Sequence, residues 1–206
     1  MSNTIDWGKI HYSSWSPETN LTGTGGSSFS NTYSTDYDGI DANITTDATY
    51  SELDGQTKAT FSLWIKPTSA SARYGNIFHI PRNTTNGNGQ VYCFIDTSNR
   101  IRFSMDTVSY YIYSNTNVVN LNQWNHILIC VDLTATNEGV MFVNGIDETA
   151  TNNIGTRTQF STSVNGLRIG DEFGNYLIAF LGNIDEFAIW SGTDLRNDVA
   201  TIYNSG

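Results

Sequence analysis

Paired carboxylates and histidines are the side chains through which this 206-residue chain could do chemistry, and their spacing says whether they would. A working pair needs both carboxyls on one side. On a strand that means alternate positions, and a retaining hydrolase holds its two acids about 5 Å apart. Asp36 and Asp38 have alternate spacing but flank a turn. Asp185 and Glu186 are adjacent, so on a strand they point to opposite faces. Alternation groups Glu186 with Ile184, Ala188 and Trp190, and if buried there it must be paired or bonded to backbone N–H groups. His11, His79 and His126 stand in unrelated contexts, and a lone strand histidine is more often a satisfied core residue than a catalyst. No enzyme is expected from these groups. Cys93 and Cys130 both lie inside apolar strand patterns and read as buried free thiols. A single inter-strand disulfide is the alternative, and it requires close Cα atoms that spacing alone does not supply.

The elements that must position these groups are strands. Trp124 to Gly145 is the organising stretch: His126 to Leu133 is a continuous apolar run rich in β-branched residues, as in a strand buried on both faces. Thr134 to Gly139 is a polar turn, Val140 to Val143 returns, and Asn144-Gly145 has the chemistry of a tight hairpin turn. A strand apolar on both sides lies mid-sheet with a second layer against it, which predicts a sandwich. Earlier, Tyr33 to Ile44 reads as strand, turn at Asp38-Gly39, strand. From Thr57 to Pro67, Ala59, Phe61, Leu63 and Ile65 take one face and Thr60, Ser62, Trp64 and Lys66 the other. Pro67 ends that strand. Tyr74 to Ile80, Val91 to Asp96, Ile101 to Met105 and Tyr110 to Tyr113 follow, with Asp96 to Arg100 as a turn and Arg82 to Gln90 as a loop. Asp147 to Ser163 reads as a long polar connection, and Leu167 to Gly170 and Asn183 to Ser191 complete the strands. Only the end is helical, with Thr193 or Asp194 as N-cap, Asp198 in the first turn, and Leu195, Val199 and Ile202 at i, i+4 and i+7.

Composition agrees. Aromatics make up 13% of the chain and charged residues only 15%, with a net charge of −10. So acidic a protein repels phosphate backbones and anionic lipid, which argues against nucleic-acid and membrane partners. No segment approaches the roughly 20 apolar residues of a membrane helix. Residues 1–32 stand apart. Asn20 to Asn31 is Gly/Ser/Thr-rich linker chemistry, while Trp7 and Trp15 mark either an arm that docks on another subunit or a first strand packed on its own domain.

The ordered set STDYDGIDANI, ATFSLWIKP, WNHILICVDL, GVMFVNG, LRIG and FLGNIDEFAIW resembles the laminin G-like branch of the concanavalin A-like lectin/glucanase superfamily over about residues 33–206. Tyr37 stands where the pattern usually has Phe, and Phe142 where it usually has Tyr. The resemblance implies an all-β jelly roll of two antiparallel sheets, one concave and one convex, with one short C-terminal helix. The E-x-D-x-x-E run that the resemblance associates with hydrolases is missing from this sequence. Many relatives hold a structural Ca²⁺, and the matching positions are Asp38, Asp41 and Asp185; the alternative is that these carboxylates cap turns.

A glycan site needs exposed rings beside polar groups, since C–H faces of sugars stack on aromatics. The candidates are Arg73 and Tyr74, Arg82 to Asn88 including Asn86, Tyr111 and Tyr113, and Asp171 to Tyr176 including Phe173. Cross-strand aromatic packing is the alternative for each tyrosine. The opening has no apolar export segment after a basic start, yet the domain type works outside cells. The opening SNTIDWGKIHY is similar to structural proteins of tailed, notably marine, bacteriophages. Together these imply a virion decoration or appendage protein, released on lysis, whose partners are other virion proteins, copies of itself, and host-surface glycans. A free-standing carbohydrate-binding adhesin is the alternative, followed by a glycan hydrolase or lyase, for which no convergent carboxylate pair is found.

Overall fold

Alternation and burial arrange the strands into two layers. A computed structural model describes residues 34–46, 50–68, 75–81, 90–105, 110–154, 157–160, 166–171 and 179–203. The strands run β1 (Thr35–Asp38), β2 (Ile44–Thr45), β3 (Lys58–Pro67), β4 (Gly75–Ile80), β5 (Val91–Ile95), β6 (Ile101–Met105) and β7 (Tyr110–Ser114). They continue as β8 (Asn125–Asp132), β9 (Gly139–Val143), β10 (Ile146–Asp147), β11 (Thr149–Asn153), β12 (Arg168–Ile169) and β13 (Leu181–Ser191), before helix α1 (Val199–Tyr203). Sheet A has the order β1-β13-β3-β8-β9-β10 and sheet B the order β11-β7-β6-β5-β4-β12-β2, with antiparallel pairing between all neighbours. This is a jelly-roll sandwich.

The core lies between the sheets. Phe61 on β3 stacks on Phe78 of β4 at 5.4 Å and tilts against Phe103 of β6 at 5.1 Å, so one ring ties the two layers together. Ala59, Phe61, Leu63 and Ile65 are fully buried there, as the alternation requires. Every residue of β8 is buried, and the two faces are covered by different things. Ile127, Ile129 and Val131 face the core; Leu128 and Cys130 face outward beneath Val199 and Ile202 of α1. The second cover of this strand is the helix. Asn144 and Gly145 turn β9 into β10 with φ of 52° and 77°, the paired positive angles of a tight hairpin.

Three expectations need correction. The polar connection after Asp147 contains β11, an edge strand on β7. Thr149–Asn153 has no large apolar residue because an edge strand with both faces largely open buries nothing. The helix starts later than Thr193 or Asp194. The Asp194 carboxylate accepts the Arg196 N–H and pairs with its guanidinium at 2.6 Å, organising a turn, and the Asp198 carbonyl takes the first helical bond from Ile202. Finally, Glu186 does not join Ile184, Ala188 and Trp190 on one face. Asp185 pairs with Trp64 and Ala188 with Ser62, so β13 carries one extra residue, a bulge, and Glu186 sits there exposed at φ 47°. The bulge resets the alternation: Ile184 and Phe187 both face the core.

Candidate functional site

β5, β6 and β7 are adjacent in sheet B, and each puts every second residue into the core. Cys93, Phe103 and Ile112 form one buried row across them. The residues between must point outward. Tyr113, Arg102 and Phe94 therefore form one outward row, with Tyr111 and Tyr92 in the next, while Asn76, Ser104 and His79 on the same registers are buried. An acidic chain thus shows a face of tyrosine, phenylalanine and arginine, whose strand positions carry no Asp or Glu among the described residues.

Tyr111 and Tyr113 stack on each other at 4.2 Å, and Tyr92 and Phe94 at 5.5 Å. Between these pairs Arg102 lies 4.5 Å from the Tyr113 ring and 5.8 Å from that of Phe94, while Arg100 lies 4.9 Å from Tyr113. Both guanidiniums are fixed from below by Asp96, at the end of β5. Its Oδ2 accepts Arg100 Nε and Arg102 Nε, each at 2.8 Å, and its Oδ1 accepts the Ser98 N–H at 2.8 Å. Burial works against the charged form of Asp96, but the Ser98 N–H and the Arg100 and Arg102 guanidiniums outweigh it and hold the carboxyl below its ordinary range. The arrangement presents flat rings and fixed N–H donors together, the two groups that stack on and orient a sugar.

Tyr111 and Tyr113 are the sequence candidates that the fold brings to this face. Asp171 takes a different place. It is fully buried and paired with Arg168 at 3.4 Å, so it orients a guanidinium and does not itself reach a ligand. Arg73, Tyr74, Arg82, Asn86, Phe173 and Tyr176 lie outside the described residues, as do Trp7 and Trp15. Tyr92, Phe94, Arg100 and Arg102 were not among the sequence candidates; alternation in VYCFI and IRFSM identifies the outward facing of Tyr92, Phe94 and Arg102 once the inward residues are known, while Arg100 lies in the turn before β6 and carries no such signal.

The calcium candidates do not converge. Asp38 Oδ1 accepts the N–H groups of Ile40, Asp41 and Ala42, the turn-capping alternative. Asp38 pairs with Leu181, and Asp185 lies four residues further along β13, about 13 Å of strand. Asp185 Oδ1 accepts the Glu186 N–H. Among the described residues no group of three or more His, Cys, Asp or Glu side chains is placed to hold a metal. Cys93 and Cys130 are free thiols in opposite sheets.

The laminin G-like model of the Concanavalin A-like lectin/glucanases superfamily matches residues 38–200. The chain belongs to this superfamily. No curated protein matches it. Among solved structures, this superfamily member is similar to the native heptameric SAP-like pentraxin from Limulus polyphemus, with 16% identity, TM-score 0.61, and 82% of this chain and 80% of that one covered. It is similar also to the CBM40 of the Ruminococcus gnavus IT-sialidase bound to α2,3-sialyllactose (14% identity, TM-score 0.59, 79% and 96% covered). A third is domain 4 of AbnA, a GH43 extracellular arabinanase from Geobacillus stearothermophilus, in complex with arabinotriose (16%, TM-score 0.57, 82% and 76% covered). At these identities the likeness is one of fold. Within the concanavalin A-like sandwich of this chain, no described helix is long and apolar enough to cross a membrane.

Proposed function

We propose that this domain is a non-catalytic glycan-binding module whose contact surface is the outward face of sheet B. The observation that carries the reading is the stacked Tyr111–Tyr113 pair with Arg100 and Arg102 held against it by Asp96. These rings are part-exposed, beside donors that a buried carboxylate orients. Sugar binding by two of the structurally similar modules, α2,3-sialyllactose by one and arabinotriose by the other, supports the reading. Asp96, the carboxylate at this face, is committed to two arginines, which favours binding over hydrolysis. The carrier we propose is a bacteriophage structural protein, a virion decoration or appendage, with residues 1–32 as its assembly arm. That part rests on sequence resemblance alone.

The test is a glycan array followed by calorimetric titration, with α2,3-sialyllactose and arabinotriose as first probes. Tyr111→Ala and Tyr113→Ala are expected to weaken binding about tenfold or more with the fold intact, since truncating an aromatic anchor costs upwards of about 1–2 kcal/mol. No binding to any glycan would overturn the function. Binding that ignores both substitutions would overturn the site.

A further inference from the structure

The opposite face of the sandwich, on sheet A, holds a second set of groups that the glycan reading does not use. Helix α1 is five residues long, none of its side chains is fully buried, and a helix so short has little stability of its own. What keeps it in place is contact. Val199 and Ile202 cover Leu128, Cys130 and Val140. Tyr203 lies 5.9 Å from the Trp64 ring and 5.6 Å from that of His126, and His126 lies 5.1 Å from Trp64. The imidazole is 1% exposed; Nε2 hydrogen-bonds Ser62 Oγ at 2.9 Å, and Nδ1 is buried with no hydrogen-bond partner among the described residues.

We propose that α1 is an acid-released flap, closed over sheet A while His126 is neutral and opened when its imidazole takes a proton. A neutral imidazole can leave one nitrogen unbonded at moderate cost. An imidazolium must bury a charged N–H without an acceptor, which costs far more. Water would relieve that cost, and the groups covering His126 differ in how readily they move. Trp64 and Ser62 belong to β3, which pairs on both sides with β8 and β13. Tyr203 belongs to the flap. Among the described charged and titratable groups around it, Tyr203 is in ring contact, Asp185 lies beyond Trp64 on β13, and Lys66 lies further along β3. Asp147 is opposite Phe142, Lys58 is paired with Asp132, and Asp194 with Arg196. Neither β9 nor the Asn144–Gly145 turn presents a carboxylate to the ring. Burial alone pulls the His126 imidazole down from 6.5 to about 4. The open form therefore binds a proton that the closed form refuses between those values. Opening becomes more favourable by up to about sevenfold per pH unit between those values, to a limit of about 300-fold.

The two cysteines report on this. Cys130 lies under the flap and Cys93 in the central core. Each is labelled with 4,4′-dithiodipyridine from pH 8 to pH 4.5, with rates divided by those of the urea-unfolded chain at the same pH. Cys130 is expected to react faster than Cys93 throughout, and to accelerate about 15-fold between pH 6.5 and 5. His126→Gln, which can bond Ser62 but takes no proton, should abolish that acceleration and leave the Cys93 profile unchanged. Tyr203→Ala should make Cys130 reactive at pH 8 and nearly pH-independent, and it decides the question if the glutamine variant does not fold. Equal rates at Cys93 and Cys130 at every pH would show that opening is global and overturn the flap. Acid acceleration at Cys130 that survives either substitution would overturn the role of His126.

Discussion

Asp96→Asn is the substitution that bears hardest on the proposed site. Asp96 is 4% exposed and accepts from the Ser98 and Arg100 backbone N–H groups and from both the Arg100 and Arg102 guanidiniums. Asparagine keeps one carbonyl for the Ser98 N–H and loses the charge. Two guanidiniums would then lie side by side against Tyr113 with no shared counter-ion. Removing one partner of a fully buried ion pair costs about 3–5 kcal/mol. The arginines here are 22% and 23% exposed, so water recovers part of that and about 2–3 kcal/mol is expected. In a domain of this size that is roughly 4–12 °C in melting temperature. Urea unfolding should show a lower midpoint with an unchanged slope. The pH dependence has a definite sign. The folded carboxyl titrates below its ordinary range, so the difference between wild type and variant is complete above the unfolded value of about 3.9 and disappears as pH falls through the folded value. Glycan affinity should fall with it, because Arg102 loses its fixed orientation. A variant within about 0.5 kcal/mol of wild type, with full glycan binding, would refute the claim that Asp96 organises this face.

Glu186→Gly should stabilise the protein by about 0.5–1 kcal/mol in the same urea assay: glycine adopts φ 47° without the side-chain strain, and the exposed glutamate is not needed for packing. A loss of more than about 0.5 kcal/mol would mean that the Glu186 side chain makes an essential contact. Calcium remains a proposal of the family resemblance that Asp38, Asp41 and Asp185 do not assemble among themselves. Melting curves in excess EDTA and in excess Ca²⁺ test it: saturating a site at about 100 times Kd would add about 2.7 kcal/mol, and coincident curves would remove calcium from the proposal. A clear upward shift would show that other oxygens complete a site around them.

The sequence by itself determined the fold class, most strand positions and the core side of the best strands. Period-two burial in β3 and the two-sided apolar run of β8 are local signals written in residue type. It determined the Asn144-Gly145 turn for the same reason, since those residues tolerate positive φ. It also singled out Tyr111 and Tyr113, and it offered turn capping as the alternative for Asp38. Tertiary structure decided what depends on partners. An edge strand such as β11 carries no apolar stripe to read. One bulge reverses the facing of every later residue in β13, and the sequence does not mark where it falls. Whether β8 is covered by a second sheet or by a helix is invisible in its own residues, because burial against either selects the same side chains. The site is the plainest case. Tyr113, Arg102 and Phe94 belong to three strands, and only strand order and register make them neighbours around the carboxylate of Asp96.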